Sequence, residues 1–350
     1  MAGRDGGRVP RYAAPVPALR IGLVYDLLGT HPPRPGAPPD LDAEYEPVET
    51  VELLEQALGR LGHRPLRLGS AHDLLAALGK GELPPLDAGL SIAEGYGARN
   101  RESWAPVLFE MAGVPQLGSD ALALSVCLDK QWARRVVAAA GVPLAAGRAA
   151  HPGEEENLIQ DLGFPLFVKP LWEGTAKGIG PDSRVEDRAG LAAALARIER
   201  DYGQPALVER FLPGAEYTVT LVGHAPPRAL PVLQRALEAD TRIGLHAVER
   251  HTAPAGGWRA CLAGDLDSDL ERELAALGLR AFEALDCRDF ARADFRLDAA
   301  GRPHFLEMNP LPTFAPDGSF GILAELEGRA PAALVADVLA EALARLDLHR

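Results

Sequence analysis

The sequence predicts an α/β protein: a parallel α/β domain at the N-terminal end, then two α+β units. Three observations carry this expectation. Apolar strand candidates alternate with helical patterns between about residues 20 and 95, as in a parallel sheet. A glycine-rich turn, EGTAKGIG, follows the apolar stretch FPLFVKP. Two short β-prone stretches, ADFRL and HFLEMN, flank DAAGRP, whose Asp, Gly and Pro punctuate a turn.

Taken in order, RIGLVYDLL reads as a buried strand and THPPRPGAPPD as a Pro/Gly-rich loop. Glu49 to Leu61 has the spacing of an amphipathic helix, closed by Gly62. HRPLRLG and DAGLSIAEG read as strands, with the helix AHDLLAALGKG between them. These make an N-terminal domain over 18–125, preceded by a flexible tail, 1–17. The loop EGYGARNRES follows a strand end, where open α/β sheets bind ligands. Leu128 to Ala140 reads as one helix, ended by Gly141 and Pro143. A central unit, 126–212, continues through the glycine-rich turn and a helix near Gly190–Tyr202. The final unit, 213–345, holds the strand EYTVTLVG, a helix over Asp269–Leu285, the hairpin, and a closing helix from about Pro331 to Leu346.

Composition sets bounds on function. A chain of 350 residues is long for one compact domain, and its 47% apolar content is ample for real cores. The net charge of −13 argues against general binding to nucleic acid or anionic membranes, but leaves room for a local cationic pocket. The three cysteines, Cys127, Cys261 and Cys287, lack metal-ligand spacing and read as buried thiols in a reducing compartment. No apolar run approaches the roughly 18 residues that span a bilayer. MAGRDGGRVPRYAAPVPA has no hydrophobic signal core, so a cytoplasmic location is expected.

Strand alternation places Arg292 and Asp294 on one face of the hairpin, and Glu307 with Asn309 on one face of the partner strand. Two carboxylates and an amide oxygen repel each other unless a cation lies between them, and such hard donors suit Mg²⁺. The plainer alternative is a solvated polar strand face. In FVKPLWEGTAKGIG, Lys169 ends a strand, and glycines let backbone N–H groups approach phosphate oxygens. The lysine precedes the glycines, so this is not a P-loop, and an ordinary glycine-rich turn stays open. ALVERFLPGAEYTV offers a strand leading into Glu209–Leu212, an edge able to pair with adenine, and Glu216, able to hold ribose hydroxyls. A surface loop between strands is the alternative.

The order of these features resembles the ATP-grasp superfamily, and most closely the D-alanine–D-alanine ligases, over about residues 20–345. The stretches that carry the resemblance are LDKQWARRVV, VKPLWEGTAKGI, LVERFLPGAEYTV and ARADFRLDAAGRPHFLEMNPLP. It implies a three-subdomain ATP-grasp fold in which two α+β subdomains sandwich ATP. It implies an ATP-dependent ligase that activates a carboxylate as an acyl phosphate for attack by an amine, in cell-wall precursor synthesis. Lys130 and Lys169 would contact phosphates, and Glu173, Gly174 and Thr175 would border the nucleotide. Glu209 and the backbone of Arg210 and Leu212 would read adenine, with Glu216 on ribose. Asp294, Glu307 and Asn309 would hold two Mg²⁺ ions, with Mn²⁺ as the alternative metal. Arg292 would stabilise the acyl phosphate and tetrahedral intermediate, and Ser319 the second substrate's carboxylate. A glutamate near the N-terminus would grip the first substrate's ammonium. Glu49 opens the helix and is the candidate taken for this role; Glu44 fits the spacing to Gly62 better, and Glu46 stays open. Small-molecule amino acids would be the substrates, and a homodimer the assembly.

Departures from the family put the substrates in question. Thr175 and Ala176 stand where serines are common, and Thr313 where a glycine often supplies an oxyanion-hole N–H. Arg250 and His251 stand where a Lys-Tyr pair is common; in ligases resembling those of vancomycin resistance, a histidine there accompanies a hydroxy-acid second substrate. Two other readings follow: a related ligase with different partners, and a silent nucleotide-binding protein. The retained Arg292 and both carboxylates argue against the second.

Overall fold

Among the described residues, three sheets of four or five strands order the chain, and a fourth is a two-stranded pair. The computed structural model describes residues 17–30, 36, 38, 40–245, 260–261 and 266–347, with 260 and 261 described by their backbone. Arg250, His251 and residues 1–16 lie outside the described residues.

The first sheet is parallel, in the order β2-β1-β3-β4, with β1 at Arg20–Tyr25, β2 at Arg64–Gly69, β3 at Ala88–Ile92 and β4 at Gln116–Leu117. Helices α1 (Val48–Arg60), α2 (Ala71–Lys80) and α3 (Trp104–Met111) connect these strands. In α2, Ser70 and Asp73 form a capping box and Gly81 ends the helix at φ 68°, so both ends satisfy backbone groups that would otherwise lack partners. The sequence marks only a loop before α3. There the structure has a short 3₁₀ turn, Arg101–Ser103, running straight into the helix.

Helix α5 (Lys130–Ala139) is the helix expected over Leu128–Ala140, begun two residues later, and a further helix, α4 (Ala121–Leu128), precedes it. Asp129, at ψ 96°, breaks the helix, and its side chain accepts from the amides of Gln131 and Trp132. Capping by an aspartate outweighs continued helix here because it satisfies N–H groups that would otherwise lack partners. Its other oxygen accepts from Trp172 Nε1 at 3.1 Å. Lys130 thus starts a helix, where a cation opposes the helix dipole.

The second sheet is antiparallel, β5-β8-β6-β7, with β5 at Gly147–Ala150, β6 at Leu166–Pro170, β7 at Arg184–Val185 and β8 at Ala206–Arg210. Helices α6 (Glu155–Leu162) and α7 (Arg188–Tyr202) cover it, burying Leu158, Leu191, Leu195 and Ile198 against Val168 and Val208.

The third sheet is built on β9 (Glu216–Val222), which pairs with β10 (Arg228–Ala229), β11 (Leu233–Arg235) and the later β14 (Phe290–Leu297). A two-residue strand β12 (Leu237–Glu238) pairs with β13 (Ala260–Cys261). Helix α8 (Ser268–Ala284) packs on one face, where Tyr217, Val219 and Leu221 are buried with Leu274, Leu277 and Ala281. Ala133 and Val137 of α5 join the same core. Strand β15 (Pro303–Asn309) completes the expected hairpin with β14. Its turn is held by Asp298, which accepts from the amides of Ala300 and Arg302, with Gly301 at φ 78°.

The chain ends in α9 (Ser319–Leu326) and α10 (Pro331–Arg345), which return to the N-terminal domain. Val335 and Leu339 of α10 pack with Val51, Leu54 and Leu58 of α1, and Phe314 and Phe320 with Phe290. Cys127 and Cys287 are buried free thiols, 3.9 Å apart. Among the described residues no helix is long and apolar enough to cross a membrane.

The loop leading into α9 depends on Gly321. A β-carbon there would lie 1.7 Å from the Pro316 carbonyl oxygen. Backbone cannot yield as a flexible side chain can, so Gly321→Ala should destabilise the protein by about 2–3 kcal/mol, the scale of an overpacked site. Urea denaturation against the unaltered protein measures it; an unchanged midpoint would contradict this packing.

Candidate active site

The third sheet has two unlike faces because β9 alternates. Its apolar side chains face α8, while Glu216, Thr218 and Thr220 point the other way. Pairing carries that polarity across the sheet. Arg235 of β11 opposes Glu216, which opposes Arg296 of β14. Thr218 opposes Asp294, which opposes Glu307 of β15. Thr220 opposes Arg292, which opposes Asn309. The hairpin therefore has the side-chain arrangement expected from its alternation.

This polar face forms one wall of a cavity of about 480 Å³. Lys169, Thr175, Glu209, Arg210, Leu212, Glu216, Arg292, Asp294, Glu307, Asn309 and Ser319 all line it. Lys130, Glu173 and Gly174 line a narrow annex that shares Glu94, Thr175, Glu307 and Asn309 with the main cavity. Among the described candidate site residues, Glu49 alone borders neither: it is exposed in the first turn of α1. The helix start that drew attention to it turns its side chain to solvent.

The other two N-terminal glutamates differ from each other. Glu44 is buried and already engaged: it accepts from Arg101, from the Gly174 amide and from Lys177. Arg101 and Lys177 also pair with Glu173. Burial works against ionisation of Glu44, but Arg101 and Lys177 outweigh it and hold its carboxyl below the usual range. Glu46 lines the cavity, where its Oε2 accepts from Thr50 at 2.8 Å and Thr313 at 3.0 Å. Glu94, also on the cavity wall, has no hydrogen-bond partner among the described residues. Burial first, then the nearby Glu102 and Glu44, raise its carboxyl well above the usual range.

The glycine-rich turn is tied to the N-terminal domain. Gly174 N donates to Glu44, and Gly178 N donates to Asp40 Oδ2 at 2.7 Å, while Tyr202 holds the other Asp40 oxygen. These two amides, expected to face phosphate, instead bond carboxylates. Thr175 and Ala176 take φ of 48° and 55°, left-handed values that L-residues seldom adopt and that cluster at functional sites.

Cations balance the hairpin. Lys130 Nζ lies 3.4 Å from Glu307 and also donates to the Glu173 carbonyl. Burial would raise Glu307, but Lys130, Lys169 and Arg292 hold it down at about 2. Arg292 pairs with Asp294 at 3.0 Å, and Asp294 also accepts from Thr218. Asn309 Oδ1 accepts from the Leu311 amide. At the hinge, Glu209 is paired with Lys169 at 3.2 Å and Arg134 at 2.9 Å. The Arg210 amide donates to Ala146 O and the Phe211 amide to Pro165 O. Arg296 reaches Glu216 at 3.4 Å, and its guanidinium lies over the Phe211 ring.

The donor set fits a hard divalent cation. Two carboxylates and a carboxamide oxygen sit on adjacent positions of paired strands. Among the described residues no three His, Cys, Asp or Glu side chains gather around one point, so phosphate oxygens and water would complete the coordination, as is usual for Mg²⁺.

The family model for the D-ala D-ala ligase C-terminus matches residues 139–340. The chain belongs to the D-alanine–D-alanine ligase family. It is 32% identical over 285 residues to a D-alanine–D-alanine ligase of Sodalis glossinidius, covering 79% of this chain and 75% of that protein. An uncharacterized protein of Sinorhizobium fredii, y4sG, is 31% identical over 288 residues, covering 81% and 84%. In structure, the fold matches a D-alanine–D-alanine ligase of Bacillus anthracis crystallised with ATP, at TM-score 0.67 and 19% identity, over 93% of this chain and 98% of that one. The fold is therefore that of the ATP-grasp ligases.

Within this ligase family member, sequence reading missed several cavity and cluster residues. Arg101 lay in the loop EGYGARNRES, singled out only for its position after a strand. Lys177 lay inside the glycine-rich turn. Arg296 was legible, being two residues beyond Asp294 in the same alternation. Arg235 carried no signal beyond a charge in a short β-prone stretch.

Glu44 and Glu49 can be separated experimentally. Removing the Glu44 charge leaves Arg101 and Lys177 buried with too little compensation, so Glu44→Gln should cost about 3 kcal/mol, the scale for breaking a buried pair. Glu49→Gln should change neither stability nor turnover. Chemical denaturation of both variants checks this, and equal midpoints would remove the structural role given to Glu44.

Proposed function

We propose that this family member joins two amino acids at the expense of ATP, with D-alanine as both substrates, in the supply of cell-wall precursors. One observation carries the reading most strongly: Arg292, Asp294, Glu307 and Asn309 share one sheet face, and Lys130 and Lys169 approach it from other elements. The first carboxylate would attack the γ-phosphorus of ATP with loss of ADP, and the second substrate's amine would then displace phosphate. Lys130 and Lys169 would hold the phosphates. Asp294, Glu307 and Asn309 would hold Mg²⁺ or Mn²⁺, two ions in the expected arrangement. The metal, when bound, supplies screening of phosphate charge. Arg292 would stabilise negative charge on the acyl phosphate and the tetrahedral intermediate, since its planar fork matches two oxygens at once.

The hinge would take adenine, with Glu209 and the backbone of Arg210 and Leu212 at its edge and Glu216 on ribose. Ser319 begins α9 and is buried on the cavity wall, which suits a carboxylate at a helix N-terminus. For the ammonium we propose Glu46 and Glu94 in place of Glu49. Glu46 is oriented by two hydroxyls, and Glu94 is a carboxyl group with no donor among the described residues. A cytoplasmic homodimer is the setting this reading implies.

The engagement of Glu44 by two cations favours a second reading, a related ligase that joins different amino acids. Release of ADP and phosphate with D-alanine alone, compared with a panel of amino-acid pairs and with products weighed by mass spectrometry, decides between them. Release with another pair, and none with D-alanine, selects the second.

Two substitutions test the chemistry. Glu307→Gln should abolish turnover while the fold is retained; activity at saturating Mg²⁺ would reduce the hairpin to a polar strand face. Arg292→Lys should lower kcat by about 10²–10³-fold, the scale for one preorganised donor. A raised KM with unchanged kcat would instead assign Arg292 to uniform substrate binding.

A further inference from the structure

Arg235 stands out among the cations around the cavity. Lys169 is paired with Glu209, Lys130 with Glu307, Arg292 with Asp294 and Arg296 with Glu216. Arg235 lines the same cavity, and its Nε donates to Thr218 Oγ1 at 2.9 Å. Among the described residues its two Nη groups have neither a hydrogen bond nor an ion pair within 4.0 Å. The bond to Thr218 is directional. It draws the guanidinium from its own cross-strand row, with Glu216 and Arg296, toward the next row, which holds Asp294 and Glu307.

The surroundings make an open guanidinium costly. Burial, and then the like charge of Arg292, lower the Arg235 pKa, and Asp294, Glu216 and Glu307 only partly offset them. Two arginines beside each other in a half-buried wall repel unless an anion lies between them. The hairpin carboxylates cannot serve both, because Asp294 is engaged by Arg292 and Thr218. A tetrahedral phosphoryl group above Asp294 and Glu307 would meet lysines on one side and the fork of Arg235 on the other. Guanidinium groups bind phosphate oxygens in pairs, with fixed geometry.

We propose that Arg235 binds the terminal phosphoryl group of the nucleoside triphosphate through its two Nη groups, with Thr218 fixing its orientation. It would be a second arginine at the reacting centre, beside Arg292, that distinguishes triphosphate from diphosphate. The inference rests on the ATP reading above and goes beyond it.

The test compares Mg²⁺-dependent binding of ADP and of a non-hydrolysable ATP analogue by calorimetry, for the unaltered protein, Arg235→Met and Arg235→Lys. Arg235→Met should weaken the triphosphate analogue at least about tenfold, the scale of one charge-assisted hydrogen bond. ADP affinity should stay within about twofold, because a diphosphate lacks the contacted group. Arg235→Lys keeps the charge and loses the fork, so its triphosphate affinity should fall between the two. Circular dichroism establishes that each variant is folded; if the methionine variant is not, the lysine variant decides by the same ratio. Equal loss for ADP and analogue would place Arg235 at the ribose or inner phosphates and overturn the proposal. No loss for either would overturn it too, leaving Arg235 as a support for Thr218. Failure of the unaltered protein to bind any adenine nucleotide would overturn the ATP reading itself.

Discussion

The site depends on a charge balance at the β14–β15 hairpin. Asp294 and Glu307 face each other across the strands, a like-charge pair that is unfavourable on its own. What makes the pair tenable is that cations surround it, two from outside the hairpin and one within it: Lys130 from the start of α5, Lys169 from the end of β6, and Arg292 from β14 itself. Each of these side chains is where it is because of a local decision elsewhere. Asp129 interrupts a helix so that Lys130 begins one, and the β6–β8 pairing delivers Lys169 beside Glu209. The chemistry of the hairpin is therefore a property of the assembled sheets and not of the hairpin alone.

A second balance joins the glycine-rich turn to the N-terminal domain. Glu44 and Glu173 face Arg101 and Lys177 in a largely buried network, and Asp40 holds the Gly178 amide. Buried pairs of this kind add little net stability, since desolvation offsets attraction, but they are costly to break. Their effect here is positional. The turn that follows β6 is fixed against residues 40–46, so the cavity wall made by Glu46 and Thr175 comes from segments far apart in sequence. The same network uses up Glu44, while Glu46 and Glu94 remain on the cavity wall beside it.

Much of the fold was legible because the relevant signals are local. Alternation marked β14 and β15, and the period of apolar residues marked α1, α7 and α8. The errors were local as well. The helix read over Leu128–Ala140 begins at Lys130, a boundary that only the Asp129 cap geometry fixes. Residues 104–111 form a helix behind a loop rich in glycine and charge, whose composition hid its start. Glu49 occupies a helix start, a strong local signal, but the face it presents is set by the packing of Val51, Leu54 and Leu58 against α10.

The sequence by itself determined which residues could do the chemistry. Strand periodicity dictates that Arg292 and Asp294 share a face, and the residue types dictate that Asp294, Glu307 and Asn309 are hard oxygen donors. No tertiary information is needed for either, because both follow from side-chain period and functional group. Tertiary structure decided which of these groups are free to act. Glu44 is paired with Arg101 and Lys177, whereas among the described residues Glu94 has no donor and the Nη groups of Arg235 have no partner. Each outcome depends on charges brought together from distant segments, and Coulomb interactions depend on separation in space, which no reading of the chain in order contains.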